Sequence, residues 1–318
     1  MASLREIKDH IGSVRSTLKI TSAMKLVSSA KLRKAQQAVE TMRPYQQELE
    51  KMLSALGGTG GDSAAPEMEA KGKLAIVAIA SNSSLCGAFN GNVLRKVLEL
   101  VAQAGGPDCV EVFALGRKIA EPLRKAGVIA DADRQSLNDL VAHPDYGASQ
   151  TLASALVDGF DSGRFSNVLL VYNHFVSTST QKVVVESYLP PCGEVGLPPE
   201  GRATRGTEAG GPSSDGGVSP KGELPKGERP PRDQVDDYIL EPGREAILAD
   251  LLPQVIRLKL YAAILDSVAA EHAARMIAMQ AATDNAEDLL AELSLEYNKG
   301  RQAKITAEIL DLVAGARQ

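Results

Sequence analysis

The sequence predicts an α/β protein in which two long helices, one at each end of the chain, form an antiparallel coiled coil beside a central α/β domain. Three observations support this prediction. Apolar residues recur every three or four positions at both ends of the chain, and short apolar runs alternate with helical patterns in the middle. Aromatic residues make up only 4% of the 318 residues. A large globular core is normally rich in aromatic side chains, whereas thin helical packing is built from Ala, Leu and Met.

The composition argues against several classes of protein. With 44% hydrophobic and 24% charged residues the chain can build a core, and no stretch is long and apolar enough to cross a bilayer. A net charge of −5 argues against nucleic-acid binding. The three cysteines and four histidines show neither C-x-x-C nor H-x-x-x-H spacing, so we expect no metal and no cofactor. The charged first nine residues resemble neither a secretory signal nor a transit peptide, so we expect a reducing cytoplasmic setting.

Residues 1–56 are predicted to form the first helix of the coiled coil. Their apolar positions follow a 3-4-3-4 spacing at Leu4, Ile7, Ile11, Val14, Leu18 and Thr21. Pro44 is expected to kink the helix, because its ring removes a backbone hydrogen bond. Residues 1–53 carry ten Lys or Arg and five acidic residues, a local charge of +5. This charge indicates either an ordinary solvated face or a surface for acidic protein or anionic lipid.

Residues 74–193 are predicted to form a central Rossmann-like α/β domain, after a Gly- and Ser-rich loop at 57–73. Short apolar runs and helical periodicity alternate along it. They predict strands at 74–80, 110–115 and 167–172, and helices at 92–104, 117–126 and 147–160. This alternation is typical of a parallel sheet. The alternating apolar pattern at 181–188 predicts an added edge strand.

The segment 194–237 differs from its surroundings in composition. Pro and Gly supply 16 of its 44 residues, and apolar residues only seven. Such a segment cannot bury enough surface to offset its chain entropy. We therefore expect a disordered insertion without chemistry of its own.

Residues 243–318 are predicted to form the second helix of the coiled coil. Pro253 is expected to kink the chain or to begin a new helix. A 3-4 ladder runs through the segment, at Leu248, Leu251, Val255, Leu258, Ala262, Leu265, Ala269, His272, Met276, Met279, Thr283, Ala286, Leu290, Leu293, Tyr297 and Gly300. A 3.5-residue repeat held this long predicts a left-handed supercoil. We expect antiparallel pairing, with the C-terminal end of the second helix projecting beyond the first.

Candidate reactive residues are few. The segment SNSSLCGAFNG (residues 81–91) follows the first predicted strand and could offer backbone N–H groups to an anion. A β-to-α turn needs the same small and capping residues, and no Lys follows at phosphate-loop spacing. Cys86 is a candidate nucleophile without a His–acid partner, which favours a buried structural thiol. His272 lies on the apolar ladder and is interpreted as a packed polar residue rather than a ligand.

Three segments near the ends of the chain carry a resemblance. They are ITSAMKLVSSAK (residues 20–31), EHAARMIAMQAATDNA (residues 271–286) and YNKGRQAKITAEI (residues 297–309). These motifs are long and ordered, and they resemble those of the gamma subunit family of F-type ATP synthases. The likeness extends over nearly the whole chain apart from residues 194–237.

The resemblance implies a rotor shaft without catalytic activity of its own. The coiled coil would sit inside a ring of alternating alpha and beta subunits, and the α/β domain would rest on the membrane c-ring beside epsilon. Proton-driven rotation of the c-ring would turn the shaft and change the conformations of the catalytic beta subunits. Membrane contact would be made only through the c-ring, at the cytoplasmic face of the bacterial inner membrane. The alternatives are an α/β enzyme with a coiled-coil arm and a structural coiled-coil scaffold.

The resemblance also implies contact residues where its motifs match. Met24 and Lys25 would contact an acidic lever of the beta subunit, which suits the basic first helix. The C-terminal helix would contact beta catch loops through Arg301, Gln302, Thr306 and Glu308. The c-ring and epsilon would be contacted by Asp237, Tyr238 and Glu241.

The sequence departs from the family's pattern in two places. Residues 82–84 are Asn-Ser-Ser where the family commonly has Asp-Arg-Gly, so a role of that Arg does not transfer to this chain. Gly300 stands where Ala or Val is usual, and glycine weakens a helix by roughly 0.5–1 kcal/mol.

Overall fold

The computed structural model of the chain describes residues 3–56, 72–129, 135–190, 241 and 243–315. Within these ranges it contains helices and strands in alternation between two long terminal helices. The helices are α1 (Leu4–Ala55), α2 (Phe89–Gln103), α3 (Arg117–Lys125), α4 (Gln135–Ala142), α5 (Tyr146–Asp161) and α6 (Arg244–Gly315). The strands are β1 (Lys73–Ile79), β2 (Val110–Leu115), β3 (Phe165–Phe175) and β4 (Gln181–Leu189).

The four strands form one sheet in the order β2-β1-β3-β4. β1 pairs in parallel with β2 and with β3, while β4 pairs antiparallel with β3 at the edge. Central parallel strands are buried on both faces, which explains why β1 has a continuous apolar run instead of an alternating one. The side chains from Ala75 to Ile79 are fully buried. The predicted parallel sheet and its added edge strand are confirmed.

Helices cover both faces of the sheet and enclose two apolar cores. On one face, α2 and α3 pack on the strands through Val93, Val97 and Ile119. On the other face, α4 and α5 share a larger core with the two terminal helices, to which α1 contributes Leu32 and Ala35. Apolar burial therefore holds the base of the helix pair against the α/β domain.

α1 and α6 run antiparallel along each other, and we call this pair the shaft. Leu4, the first residue of α1, lies beside Gly300 of α6, where an added Cβ atom would be 3.0 Å from the Leu4 side chain. Thr21 of α1 is hydrogen-bonded to Thr283 of α6. The two contacts are 17 residues apart on each helix, so the register is constant over this length. The predicted antiparallel pairing is confirmed.

α6 is one continuous helix of 72 residues. It begins at Arg244, nine residues before Pro253, so the expectation that Pro253 begins a new helix is wrong. A proline in a helix removes one backbone hydrogen bond, but Leu252 and Ile256 on either side pack into the larger core and hold the helix together. α1 likewise continues through Pro44 to Ala55.

The base of α6 is buried on nearly all sides, because α1 covers one side while the sheet and α5 cover another. Buried side chains there occupy most positions, at Ile256, Leu258, Leu260, Ala263, Ile264, Leu265, Ser267, Val268, Ala269, Ala270, Glu271, Ala273 and Arg275. Farther along, burial narrows to the stripe expected of a two-helix seam, at Met279, Thr283, Ala286 and Leu293. The predicted ladder therefore describes the outer half of α6 and understates the packing of its base.

Some predicted features lie outside the described residues, and one described helix was not predicted. α4 has no counterpart in the sequence prediction, because eight residues carry too little periodicity to detect. The predicted insertion at 194–237 and most of the loop at 57–73 lie outside the described residues. The division of the chain into 1–56, 74–193 and 243–318 stays a prediction. In the part of the chain that the structure describes, no helix could span a membrane.

Candidate functional site on the shaft

The end of α6 from residue 301 to residue 315 projects beyond α1, because α1 begins at Leu4, beside Gly300. These 15 residues correspond to about 22 Å of helix. Every side chain from Arg301 to Leu310 is exposed. We call this segment the projecting end. No other described part of the chain covers this segment, and an uncovered helical stretch of this length is rarely stable on its own, so it suits a surface that another protein covers.

Four of the predicted contact residues lie on the projecting end. Arg301, Gln302, Thr306 and Glu308 are all exposed. The Thr306 hydroxyl donates a hydrogen bond to the Gln302 carbonyl oxygen at 2.9 Å, and Lys304 lies 3.8 Å from the Glu308 carboxylate. These contacts stay within the helix, so the polar side chains remain available to a partner.

Apolar side chains on the projecting end are also exposed. Ile305, Ile309 and Leu312 are 47%, 54% and 74% exposed. Their spacing of four and three residues places them on one face of the helix. Sequence reasoning noted the polar residues here and missed this apolar face, although the same spacing rule reveals it.

Met24 and Lys25 lie about 30 Å along the shaft from the projecting end, a distance that follows from the Thr21–Thr283 contact and the helical rise. Both side chains are half-buried. Three apolar neighbours on α1 are exposed, namely Ile20, Leu26 and Val27. The structure therefore does not bring the two predicted beta-contact groups together; each belongs to a separate apolar surface.

The predicted contact with the c-ring and epsilon falls at the opposite end of α6. Asp237 and Tyr238 lie outside the described residues, and Glu241 is exposed just before α6. The Arg244 Nε donates a hydrogen bond to the Leu56 carbonyl oxygen at 2.7 Å, which joins the end of α1 to the start of α6. Because α6 is about 108 Å long, Glu241 and the projecting end lie at opposite ends of the molecule.

The loop after β1 uses its polar side chains to hold the domain together. The Ser81 amide donates to Asn90 Oδ1 at 3.0 Å. Asn82 donates to the Asn138 carbonyl oxygen at 2.6 Å and accepts from the Arg117 amide at 3.1 Å. Cys86 is buried and accepts a hydrogen bond from Asn90. These bonds give the small and polar residues a structural role, which agrees with the interpretation of a β-to-α turn.

A buried ion pair at the base of α6 has no counterpart in the sequence analysis. Glu271 and Arg275 are 2.7 Å apart, and each side chain is 9% exposed. Burial raises the pKa of the Glu271 carboxyl, although Arg275 and Lys31 act in the opposite direction. The signal that could have revealed the pair is an acid and a base four residues apart in a stretch that is otherwise apolar.

His272 lies beside this ion pair. Burial, followed by the positive charges of Arg275 and Lys31, lowers the pKa of His272 from 6.5 to about 4. The imidazole is therefore neutral at physiological pH. This state agrees with the interpretation of a packed polar residue.

Comparison with known proteins finds relatives that match nearly the whole chain. A family model described as ATP synthase matches residues 3–317. The chain is 42% identical to the ATP synthase gamma chain of Bacteroides fragilis, over 99% of both chains. The chain belongs to the ATP synthase gamma chain family. Another member, from Flavobacterium johnsoniae, is 39% identical over 99% of this chain and 98% of its own length.

Solved structures show the same fold. A chain of the Euglena gracilis mitochondrial ATP synthase, in an assembly of OSCP, F1 and c-ring, matches with a TM-score of 0.62 at 16% identity. The match covers 99% of this chain and 93% of that one. A chain from the central stalk and c-ring of the Tetrahymena thermophila enzyme matches with a TM-score of 0.51 at 20% identity, over 83% and 99%. The resemblance to the gamma family is confirmed, and members of this family are subunits of ATP synthase.

Proposed function

We propose that the chain is the central rotor shaft of an F-type ATP synthase and has no catalytic activity itself. It couples proton-driven rotation of the c-ring to conformational changes in the catalytic beta subunits. The observation that carries this proposal is the shape of the shaft: two helices of unequal length, with a projecting end beyond the shorter one. In a chain that matches gamma chains from end to end, this shape suits an asymmetric axle inside a ring of subunits.

The projecting end is proposed to contact the beta subunits through two kinds of side chain. Arg301, Gln302, Thr306 and Glu308 offer hydrogen bonds and charges to the beta catch loops. The apolar face of Ile305, Ile309 and Leu312 would lose contact with water inside a closed ring. Both kinds of contact would change as the shaft turns, because the single helix here presents a different face to each beta subunit.

Met24 and Lys25 are proposed to contact the acidic lever of a beta subunit. The net charge of +5 over residues 1–53 favours an acidic partner, because opposite charges steer association. The exposed apolar neighbours Ile20, Leu26 and Val27 supply area that this contact would bury. The lever would then press on one side of the shaft, about 30 Å away from the projecting end.

The base of the molecule is proposed to rest on the c-ring and beside epsilon. Glu241, together with Asp237 and Tyr238, would meet the loops of the c subunits. Because the shaft runs about 108 Å away from this end, membrane contact through the c-ring is compatible with beta contact at the projecting end. The chain would therefore be peripheral, at the cytoplasmic face of the bacterial inner membrane.

We propose no catalytic role for the chain, because the polar side chains of the loop after β1 are hydrogen-bonded within the α/β domain. The Ser81 amide donates a hydrogen bond to Asn90, and Asn82 is hydrogen-bonded to Asn138 of α4 and to Arg117 at the start of α3. Nucleotide chemistry is assigned to the alpha and beta subunits. We find no observation that favours an α/β enzyme with a coiled-coil arm.

The proposal is tested by replacing the gene with an affinity-tagged copy and isolating the complex that the tagged chain forms. We expect alpha, beta, epsilon and c subunits to co-purify, with three copies each of alpha and beta for one copy of the chain. Removal of the gene should abolish proton-driven ATP synthesis in membrane vesicles. Recovery of the chain alone, or ATP synthesis that persists without the gene, would overturn the proposal.

A further inference from the structure

We propose that Asp266 and Arg275 anchor α6 to the α/β domain at two separate points and so fix the angle between the shaft and the domain. Apolar packing also joins these two bodies, but apolar contacts are non-directional. Nearer the start of α6, Lys259 donates a hydrogen bond to the Ser187 carbonyl oxygen and Tyr188 donates one to the Ile256 carbonyl oxygen, so β4 holds the helix there as well. Charged hydrogen bonds have direction and hold an angle. The role of this angle in transmitting torque rests on the proposed function, whereas the anchoring itself rests on the contacts.

Asp266 forms the first anchor, at the end of β3. Its Oδ2 lies 2.5 Å from Nδ1 of His174, and its Oδ1 accepts a hydrogen bond from the Phe175 amide at 3.2 Å. The Asp266 side chain is only 16% exposed. One carboxylate thus holds both a side chain and the backbone at the last two residues of the strand.

Arg275 forms the second anchor, on the loop after β1. Its Nη2 donates a hydrogen bond to the Ser83 hydroxyl at 2.7 Å, while its Nη1 lies 2.7 Å from Glu271. The guanidinium is planar and rigid, so the ion pair with Glu271 orients the other nitrogen toward Ser83. Glu271 therefore acts through Arg275, since within the described residues the ion pair with Arg275 is its polar contact.

The two anchors act on different strands of the same sheet. β1 and β3 are parallel neighbours, so their carboxyl ends lie at the same edge of the sheet. Ser83 lies in the loop after β1, and Phe175 is the last residue of β3. On α6 the anchors are nine residues apart, about 13 Å. Between them lies a small apolar cluster that includes Cys86, Phe89 and Ala270. Without the two anchors, the hydrogen bonds to Ile256 and from Lys259 would still hold α6 to β4, and the helix could pivot about that region. With the anchors in place, it cannot turn without breaking a charged hydrogen bond.

The anchoring is tested by measuring the spread of distances between the domain and the shaft. Spin labels are placed on Cys109, which is exposed, and on Glu292→Cys, with Cys192→Ser in the background. The test variant combines Asp266→Ala with Ser83→Ala, which leaves the ion pair of Glu271 and Arg275 in place. Losing a charge-assisted bond should raise the population of altered angles about tenfold per bond. We therefore expect a broader distance distribution by double electron–electron resonance.

Matched variants separate anchoring from general damage. Asp284→Ala removes a carboxylate from the same helix, but its partner Gln280 lies on α6 itself. The distance distribution of this variant should therefore stay as narrow as that of the labelled parent. Asp266→Asn with Ser83 intact keeps an acceptor for the Phe175 amide and keeps the bond from Arg275 to Ser83, so the distance distribution should stay nearly as narrow as that of the labelled parent. A distribution in the combined variant as narrow as that of the unmodified protein would overturn the anchoring.

The consequence for torque is measured in the complete synthase in membrane vesicles, as protons taken up per ATP hydrolysed. We expect the combined variant to lower this ratio and Asp284→Ala to leave it unchanged. If the unmodified chain supports no proton uptake, the proposed rotor function fails, and the distance measurement still decides the anchoring. If the unmodified chain supports uptake and the combined variant equals it, the role in torque is wrong.

Discussion

Thr283 donates a hydrogen bond to Thr21 across the seam of the shaft, with 3.0 Å between the two hydroxyl oxygens. Both side chains are buried, and the Thr21 hydroxyl donates in turn to the Leu18 carbonyl oxygen. The Thr283 hydroxyl also lies 2.8 Å from the Met279 carbonyl oxygen of its own helix. A polar pair inside an apolar seam favours one alignment of two helices, since any other alignment loses the bond across the seam. The pair thus supports the register that also brings Leu4 beside Gly300.

Thr283→Val and Thr21→Val are each expected to lower the free energy of unfolding by about 1 kcal/mol, because each leaves the other hydroxyl without its partner across the seam. The double variant should lose less than the sum, since the bond between them can be lost only once. Urea unfolding of the isolated chain measures the three values. Strictly additive losses would show that the two hydroxyl groups do not interact.

In a helix, Ala is more favourable than Gly by about 1 kcal/mol of free energy. Gly300→Ala is therefore expected to stabilise the shaft, by somewhat less than this amount. The added Cβ would lie 3.0 Å from the end of the Leu4 side chain, which is flexible and half-buried and can turn aside. Thermal unfolding followed by circular dichroism should therefore show a slightly higher Tm. The bulkier Gly300→Leu should lower the Tm by forcing the start of α1 away, and an equal Tm for both variants would contradict this packing.

His272→Gln is expected to make stability less sensitive to acid. The lowered pKa of His272 means that the folded chain binds fewer protons than the unfolded chain between pH 6.5 and about pH 4, so stability falls as the pH drops through this window. Glutamine cannot be protonated and removes this contribution. Urea midpoints at about pH 7 and about pH 5 should differ less in the variant than in the parent. An equal difference would show that His272 has no lowered pKa.

Met24→Lys is expected to weaken coupling in the assembled synthase. The variant adds a second positive charge beside Lys25 at the proposed contact with the acidic lever, so the attraction would be too strong at some angles of the shaft. Fewer protons should be taken up per ATP hydrolysed, while Met24→Leu, which keeps volume and neutrality, should behave like the parent. Equal ratios in all three proteins would remove Met24 from the proposed beta contact.

Periodicity alone predicted most of the fold. The 3.5-residue ladder predicted two long paired helices, and the apolar runs predicted β1, β2 and β3 to within a few residues. Two classes of feature escaped. α4 is too short for its periodicity to be recognised, and the continuation of α6 through Pro253 depends on packing against the sheet, which a local pattern does not contain.

The functional surfaces were predicted less completely. The exposure of Arg301 and Glu308 could be anticipated, because the second helix carries the longer ladder and was expected to project beyond the end of the first helix. The contacts of Asp266 and Arg275 could not be anticipated, since their partners His174 and Ser83 are 92 and 192 residues away in the sequence. Spacing along a helix reveals its faces, and only the folded chain shows which distant strand end meets each face.

The central claim, that the chain is a rotating shaft, is tested most directly by watching it turn. The complete catalytic complex is fixed to a surface through its beta subunits, and a visible probe is attached to Cys109, with Cys192→Ser in the background. The account predicts stepwise rotation in one direction that begins when ATP is added and stops when ATP is removed. ATP hydrolysis by the same complexes while the probe stays still would contradict the claim.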